Sequence, residues 1–97
     1  MKLTWSAFAL SDRDAIFTYI EADNPAAAIL IDERIVSAAR RFLDFPASGR
    51  LGRIAGTREL AINGTPYVAA YAITETTVRI LRVLHGAQEW PEYLLQN

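Results

Sequence analysis

The 97-residue sequence has no cysteine, one histidine (His85) and one lysine (Lys2). Without cysteine the chain can form neither a disulfide framework nor a thiolate metal site, and a lone histidine cannot build a zinc cluster. The sequence also lacks a Ser-His-Asp set, a paired-acid site and a phosphate-binding glycine-lysine motif. These absences exclude several common kinds of active site, and we expect neither a cofactor nor a metal.

Long apolar runs are missing as well. No stretch approaches the roughly 20 apolar residues of a membrane-spanning helix, and Asp12 and Asp14 come too early for an apolar signal core. A hydrophobic content of 52% in 97 residues is enough for one core and too little for two. We therefore expect one soluble cytoplasmic domain over residues 1–97, with no membrane partner.

The charges are unevenly distributed along the chain. The overall net charge is -1, but residues 1–48 sum to -2, whereas residues 49–88 have five arginines and two glutamates and sum to +3. Arginine binds carboxylates and phosphates through two parallel hydrogen bonds. The distribution predicts that an acidic partner meets the second half of the chain.

One segment separates the two halves, from Phe45 to Leu60. It interleaves glycines with arginines, namely Gly49, Gly52 and Gly56 with Arg50, Arg53 and Arg58. Backbone freedom beside guanidinium groups would let the segment follow a phosphate chain or an acidic peptide. The alternative interpretation is a connecting loop whose arginines are solvated.

The first half predicts a short strand, KLTW, and two helices. Ser6 or Ser11 can cap the first helix, whose apolar face would contain Ala9, Ile16, Tyr19 and Ile20. Asn24-Pro25 is typical of a cap followed by the first helical residue. The second helix has an apolar seam at Ala28, Ile31, Ile35, Ala38 and Phe42, which favours a core contact over a dimer surface. The short link predicts an antiparallel hairpin.

The second half predicts three strands, Thr57–Ile62, Tyr67–Ile73 and Val78–His85, with an Asn63-Gly64 turn between the first two. The fold class is therefore α+β, in the order β-α-α-β-β-β, with the helical hairpin packed on a mainly antiparallel sheet. The tail from Ala87 to Leu95 is expected to be a short helix or an extended arm. Trp90 in that tail is expected to close a core rather than to stack on a nucleobase.

The last predicted strand contains the side chains best suited to catalysis. Simple alternation places Arg79, Leu81, Val83 and His85 on one face and Val78, Ile80, Arg82 and Leu84 on the other. Arginines around a histidine are a minimal set for RNA cleavage without a metal, which needs a base, an acid and cations for the phosphorane. The alternative is a structural histidine at the end of a buried strand, which the residues themselves favour.

Three ordered motifs resemble the ParE toxins of the RelE/ParE superfamily: PASGRLGRIAGTREL, TPYVAAY and VRILRVLHGAQEWP. The start, WSAFALSDRDAIFTYIEADNPAAA, is similar too, so the likeness runs from about Trp5 to Pro91. The resemblance implies the compact fold predicted above and the toxin role of a bacterial type II toxin-antitoxin system, associated with plasmid stabilisation. It also implies a ParD-like antitoxin as partner, with operator DNA bound only through that antitoxin.

The resemblance implies two alternative activities. ParE-type members inhibit DNA gyrase by binding it, whereas RelE-type members cleave messenger RNA on the ribosome. For a nuclease the site would contain Arg58, Arg82 and His85. Lys2 is the only lysine and no tyrosine adjoins His85, Tyr93 lying further on, and these departures favour the gyrase-binding branch.

The antitoxin-binding residues are expected to be arginines. An acidic and apolar antitoxin tail would fold against the helical hairpin and form charge-assisted bonds with Arg50, Arg53, Arg58 and Arg82. A third hypothesis is a degenerate toxin that keeps only antitoxin binding and operon control.

Overall fold

A computed structural model describes residues 1–91. The elements follow in the order β1 (Lys2–Trp5), α1 (Ala7–Glu21), α2 (Pro25–Arg41), a short 3-10 helix (Pro46–Ser48), β2 (Arg50–Leu51), β3 (Arg58–Ala61), β4 (Tyr67–Ile73) and β5 (Thr77–His85). The predicted tail element, Ala87 to Leu95, and Tyr93 lie partly or wholly outside the described residues.

Both helices begin at the polar caps that the sequence offers. The Ser6 hydroxyl accepts a hydrogen bond from the Ala9 N–H (2.9 Å), so Ser6 rather than Ser11 caps α1. The Asn24 side chain accepts from the Ala27 N–H (3.1 Å), and Pro25 is the first residue of α2, as predicted. Neither helix, nor any other in residues 1–91, has the length and apolarity to cross a membrane.

The five strands form one sheet in the order β1-β5-β4-β3-β2. β1 runs parallel to β5, and all other neighbours are antiparallel. This confirms the predicted α+β fold with a mainly antiparallel sheet. The two-residue β2 was not predicted, because it lies inside the glycine-arginine segment and is too short to show a period.

The helical hairpin covers one face of the sheet and forms the larger core. All five seam residues of α2 are buried or half-buried, which confirms the predicted core contact. Ile31, Ile35, Ala38 and Phe42 belong to one core cluster with Ala69, Tyr71, Val78 and Ile80 of the strands and with Ile62, which follows β3. Tyr19 of α1 is 79% exposed, so its predicted place on the buried face is wrong.

A β-bulge in β5 changes which residues share a face. The register passes from Tyr71 opposite Ile80 to Ala70 opposite Arg82, so Leu81 is an extra residue on β5. The helix-side core therefore contains Val78, Ile80 and Val83, whereas a second cluster on the other face contains Leu81 and Leu84. The predicted grouping of Leu81 with Val83, and of Ile80 with Leu84, is wrong because strict alternation fails across a bulge.

Tyr71 joins the sheet to the connection between α2 and β2. Its buried ring stacks on Phe42, with 3.8 Å between ring centroids. Its hydroxyl donates to the Pro46 carbonyl (2.7 Å) and accepts from the Gly49 N–H (2.9 Å). A Cβ on residue 49 would lie 2.6 Å from that hydroxyl, so the close approach requires glycine there.

We predict that Tyr71→Phe lowers the free energy of unfolding by about 1–3 kcal/mol, because it leaves a buried donor and a buried acceptor without partners. Urea denaturation measures the change. Tyr19→Phe, at a largely exposed tyrosine, is the matched control and should leave the stability within about 0.5 kcal/mol of the wild type. Equal stability of the two variants would show that the hydroxyl bonds contribute nothing net.

Candidate functional site

Glu59 organises the glycine-arginine segment. Its side chain is 2% exposed and lies on the sheet face opposite the helices. It accepts hydrogen bonds from the backbone N–H of Arg53 (2.7 Å) and from the Arg53 guanidinium (3.1 Å to each carboxylate oxygen). Arg50 adds a longer ion pair of 3.3 Å. The structure thus brings two of the predicted binding arginines together, but around an acid of the same chain.

The Arg53 guanidinium also lies on the ring of Trp90, 3.8 Å from its centroid. Trp90 is 8% exposed and belongs to the second cluster, which confirms its predicted core role. Ile54 from the same segment packs against this cluster. The segment therefore covers the second face of the sheet, and Glu59 holds it there.

Arg82 forms the second buried ion pair, with Asp12 of α1. The guanidinium donates to both carboxylate oxygens (2.8 and 2.9 Å), and the Val83 N–H donates to the same carboxylate (2.9 Å). The two side chains are only 13% and 14% exposed. This pair fastens α1 to β5 next to the bulge. This pair was not predicted from the sequence, because Asp12 and Arg82 lie 70 residues apart along the chain.

Arg58 and His85 lie far apart. The half-buried Arg58 donates to the Gly49 carbonyl (2.8 Å), whereas the exposed His85 contacts the edge of the Tyr67 ring and accepts from the Ala87 N–H. Arg58 is opposite Tyr71, and His85 is opposite Tyr67 on the other side of β4. Four residues along β4 and two strand spacings separate their Cα atoms by roughly 16 Å. The structure does not assemble Arg58 and His85 into one site.

The surroundings of Glu59 lower the pKa of its carboxyl group. Burial alone raises this pKa, but the bonds from the Arg53 guanidinium, the Arg53 N–H and Arg50 outweigh burial and hold it below 4.5. A carboxyl group whose pKa is lower in the folded state stabilises the fold above its unfolded pKa. That contribution is lost as the pH falls through the folded pKa.

A groove with a volume of about 500 Å³ lies between α2 and β3. Its lining includes the apolar residues Ala38, Phe45 and Leu60 together with Arg34 and Arg41 of α2. This groove was not predicted from the sequence. A signal was present in the spacing of Arg34, Ser37, Ala38 and Arg41, which a helix places on one face. Within residues 1–91, no three acidic or histidine side chains are grouped to hold a metal ion.

We predict that Glu59→Gln lowers the free energy of unfolding at pH 7 by about 1–3 kcal/mol, since the arginines lose a charged acceptor. The wild type should lose stability as the pH falls below about 5 and through the lowered pKa of Glu59, and the variant should lose less over the same range. Urea denaturation across this pH range measures both. Glu75→Gln, at an exposed turn glutamate, is the control and should follow the wild type. An identical pH dependence in Glu59→Gln would contradict the lowered pKa.

Comparison with known proteins agrees with this architecture. A family model described as the ParE toxin of the type II toxin-antitoxin system parDE matches residues 3–90. The chain is 43% identical over 93 residues to Y4kP of Sinorhizobium fredii (strain NBRC 101917 / NGR234), a protein named as a toxin, with 96% of each chain covered. It is 36% identical over 87 residues to Toxin RelE2 of Caulobacter vibrioides (strain ATCC 19089 / CIP 103742 / CB 15), covering 90% of this chain and 97% of that one.

A solved structure of the chromosomal ParDE TA system from P. aeruginosa superposes with a TM-score of 0.80 at 25% sequence identity. The match covers 88% of this chain and 95% of that chain. The resemblance predicted from the three motifs is confirmed. The chain belongs to the ParE toxin family of type II toxin-antitoxin systems of the parDE kind.

Proposed function

We propose that this toxin inhibits DNA gyrase by binding it, and that a ParD-like antitoxin neutralises it in the cytoplasm. Membership of the ParE family supports the pairing with an antitoxin. Operator DNA would be bound through the antitoxin, because the toxin has a net charge of -1. The chain would act as a single domain that needs no cofactor.

Two of the candidate catalytic arginines already bond to groups of the same chain, and this observation favours binding over catalysis. Arg82 is held by Asp12, and Arg58 donates to the Gly49 carbonyl. RNA cleavage without a metal needs an acid, a base and cations around a single phosphate. In the structure Arg58 donates to the Gly49 carbonyl and His85 accepts from the Ala87 N–H, with their Cα atoms roughly 16 Å apart, so the two side chains are not gathered around one phosphate position.

The relative named RelE2 supports the second candidate, a ribosome-dependent messenger RNA endoribonuclease with Arg58, Arg82 and His85. In that case the structure would have to change on the ribosome, releasing Arg82 from Asp12. A degenerate toxin that keeps only antitoxin binding is the third candidate. Activity against the two targets separates all three.

The four arginines proposed for antitoxin binding differ in accessibility. Arg50 is 73% exposed and Arg53 is 39% exposed, so both can add a bond to an acidic partner. The side chain of Arg82 is only 13% exposed. Arg82→Glu would also place a carboxylate against Asp12 and weaken the fold. Loss of antitoxin binding in that variant would therefore not identify a contact.

The hairpin adds apolar area that a partner would cover. Its exposed large side chains include Leu10, Ile29 and Leu30, which are between 47% and 52% exposed. When a disordered antitoxin segment folds against them, the burial of apolar area offsets the conformational entropy that the segment loses.

We predict that the folded toxin, freed of antitoxin, inhibits supercoiling of relaxed plasmid by purified gyrase in proportion to its concentration. Adding antitoxin should restore supercoiling, because the complex leaves no free toxin to bind gyrase. Supercoiling is measured on agarose gels, with circular dichroism to confirm that the toxin is folded.

The pre-formed toxin-antitoxin complex is the matched control and should not inhibit. Full supercoiling at a large molar excess of folded free toxin would refute gyrase as the target. Cleavage of messenger RNA on translating ribosomes would then support the nuclease, and inactivity in both assays would support the degenerate toxin.

A further inference from the structure

The lining of the groove between α2 and β3 combines apolar side chains with two cations. Arg34, Ser37, Ala38 and Arg41 recur at steps of three, one and three along α2, so they form one wall. The opposite wall runs from Leu60 to Gly64. Phe45, at the end of the groove, is 62% exposed, which is unusual for a large aromatic side chain without a partner.

The charged residues that line the groove, Arg34 and Arg41, are both basic. No acidic side chain lines it. Arg34 donates one long hydrogen bond, of 3.4 Å, to the Asn63 carbonyl, and neither Arg34 nor Arg41 has an ion pair within the described part of the chain. In this respect they differ from Arg53 and Arg82, whose carboxylate partners belong to the same chain. The charge of the groove thus suits an acidic occupant.

The groove also contains an open edge of the sheet. Ile62 donates its N–H to the Tyr67 carbonyl of β4 (3.0 Å). Backbone groups alternate between the two sides of an antiparallel strand, so the N–H and C=O of Ala61 point away from β4. The register of β2 with β3, Arg50 opposite Glu59, would bring Ser48 opposite Ala61. However, Ser48 belongs to the 3-10 helix, and β2 begins only at Arg50.

We propose that an extended, acidic and apolar segment of the antitoxin binds in this groove. Its carboxylates pair with Arg34 and Arg41, its apolar side chains cover Phe45 and Leu60, and its backbone bonds Ala61. This inference rests on the proposed neutralisation by an antitoxin and adds the binding site. An extended segment fits better than a helix, because only an extended backbone can bond to the edge of a sheet.

The neighbouring arginines Arg40 and Arg41 provide a matched test. Both lie in the last turn of α2, but only Arg41 lines the groove. Charge reversal at either residue has the same effect on net charge and on the helix dipole. The experiment measures the affinity of each variant for the cognate ParD-like antitoxin, by isothermal titration calorimetry, with the fold checked by circular dichroism.

We expect Arg41→Glu to weaken antitoxin binding by about 10-fold or more, the equivalent of about 1.4 kcal/mol, and Arg40→Glu to change it by less than about threefold. The difference in antitoxin affinity between the two variants should become smaller at high salt, because salt screens the electrostatic contact. Equal effects of the two variants would overturn the proposal. So would full affinity in Arg41→Glu combined with loss of toxin activity, which would make the groove a surface for the target.

The backbone contact has its own test at Ala61. Ala61→Pro removes an N–H that the β3–β4 pairing does not use, so the fold should survive. Binding should weaken relative to Ala61→Ser, which keeps that N–H. Equal affinities of these two folded variants would overturn the strand-like mode of binding. If the wild-type toxin binds no antitoxin at all, the proposed function fails first, and this inference fails with it.

Discussion

The buried carboxylate of Glu59 is the group on which the second half of the fold depends. A carboxylate that is only 2% exposed destabilises the folded state unless several hydrogen-bond donors face it. Arg53 meets this need through its backbone and its side chain, and Arg50 contributes from the surface. The same bonds place the Arg53 guanidinium on Trp90, which closes the second cluster. The arginine-rich segment is thus first of all a cover for the sheet.

A second carboxylate, Asp12, is held by an arginine and a backbone N–H in the same way, where α1 packs against β5. Asp12 accepts from Arg82 and from the Val83 N–H, and so joins the first helix to the bulged strand. Removing one partner of an ion pair that is buried to this degree leaves the other charge buried without a partner. The two ion pairs together explain why arginine content does not by itself indicate a catalytic or binding site in this chain. Arg34 and Arg41 have no ion pair within residues 1–91, so they are available to an outside partner in addition to the exposed Arg50 and Arg53.

Local rules predicted much of the fold. The caps at Ser6 and Asn24 and the strand Tyr67–Ile73 follow from neighbouring residues alone. The bulge at Leu81 was not predicted, because it arises from the pairing of β5 with β4 rather than from the local period of the sequence. The partners of Arg53 and Arg82 were missed for a similar reason, since each depends on which strands and helices become neighbours. Family resemblance predicted the toxin role, but it gave no information about these contacts.

The central claim is that this toxin acts by binding its target and not by catalysis. The most direct test is the growth arrest caused by His85→Ala when it is induced in cells without antitoxin, with soluble folded protein confirmed. Because His85 is exposed and its side chain accepts a hydrogen bond only from the nearby Ala87 N–H within residues 1–91, the variant should fold and remain as toxic as the wild type. A folded His85→Ala protein that no longer arrests growth would contradict the account and favour a nuclease.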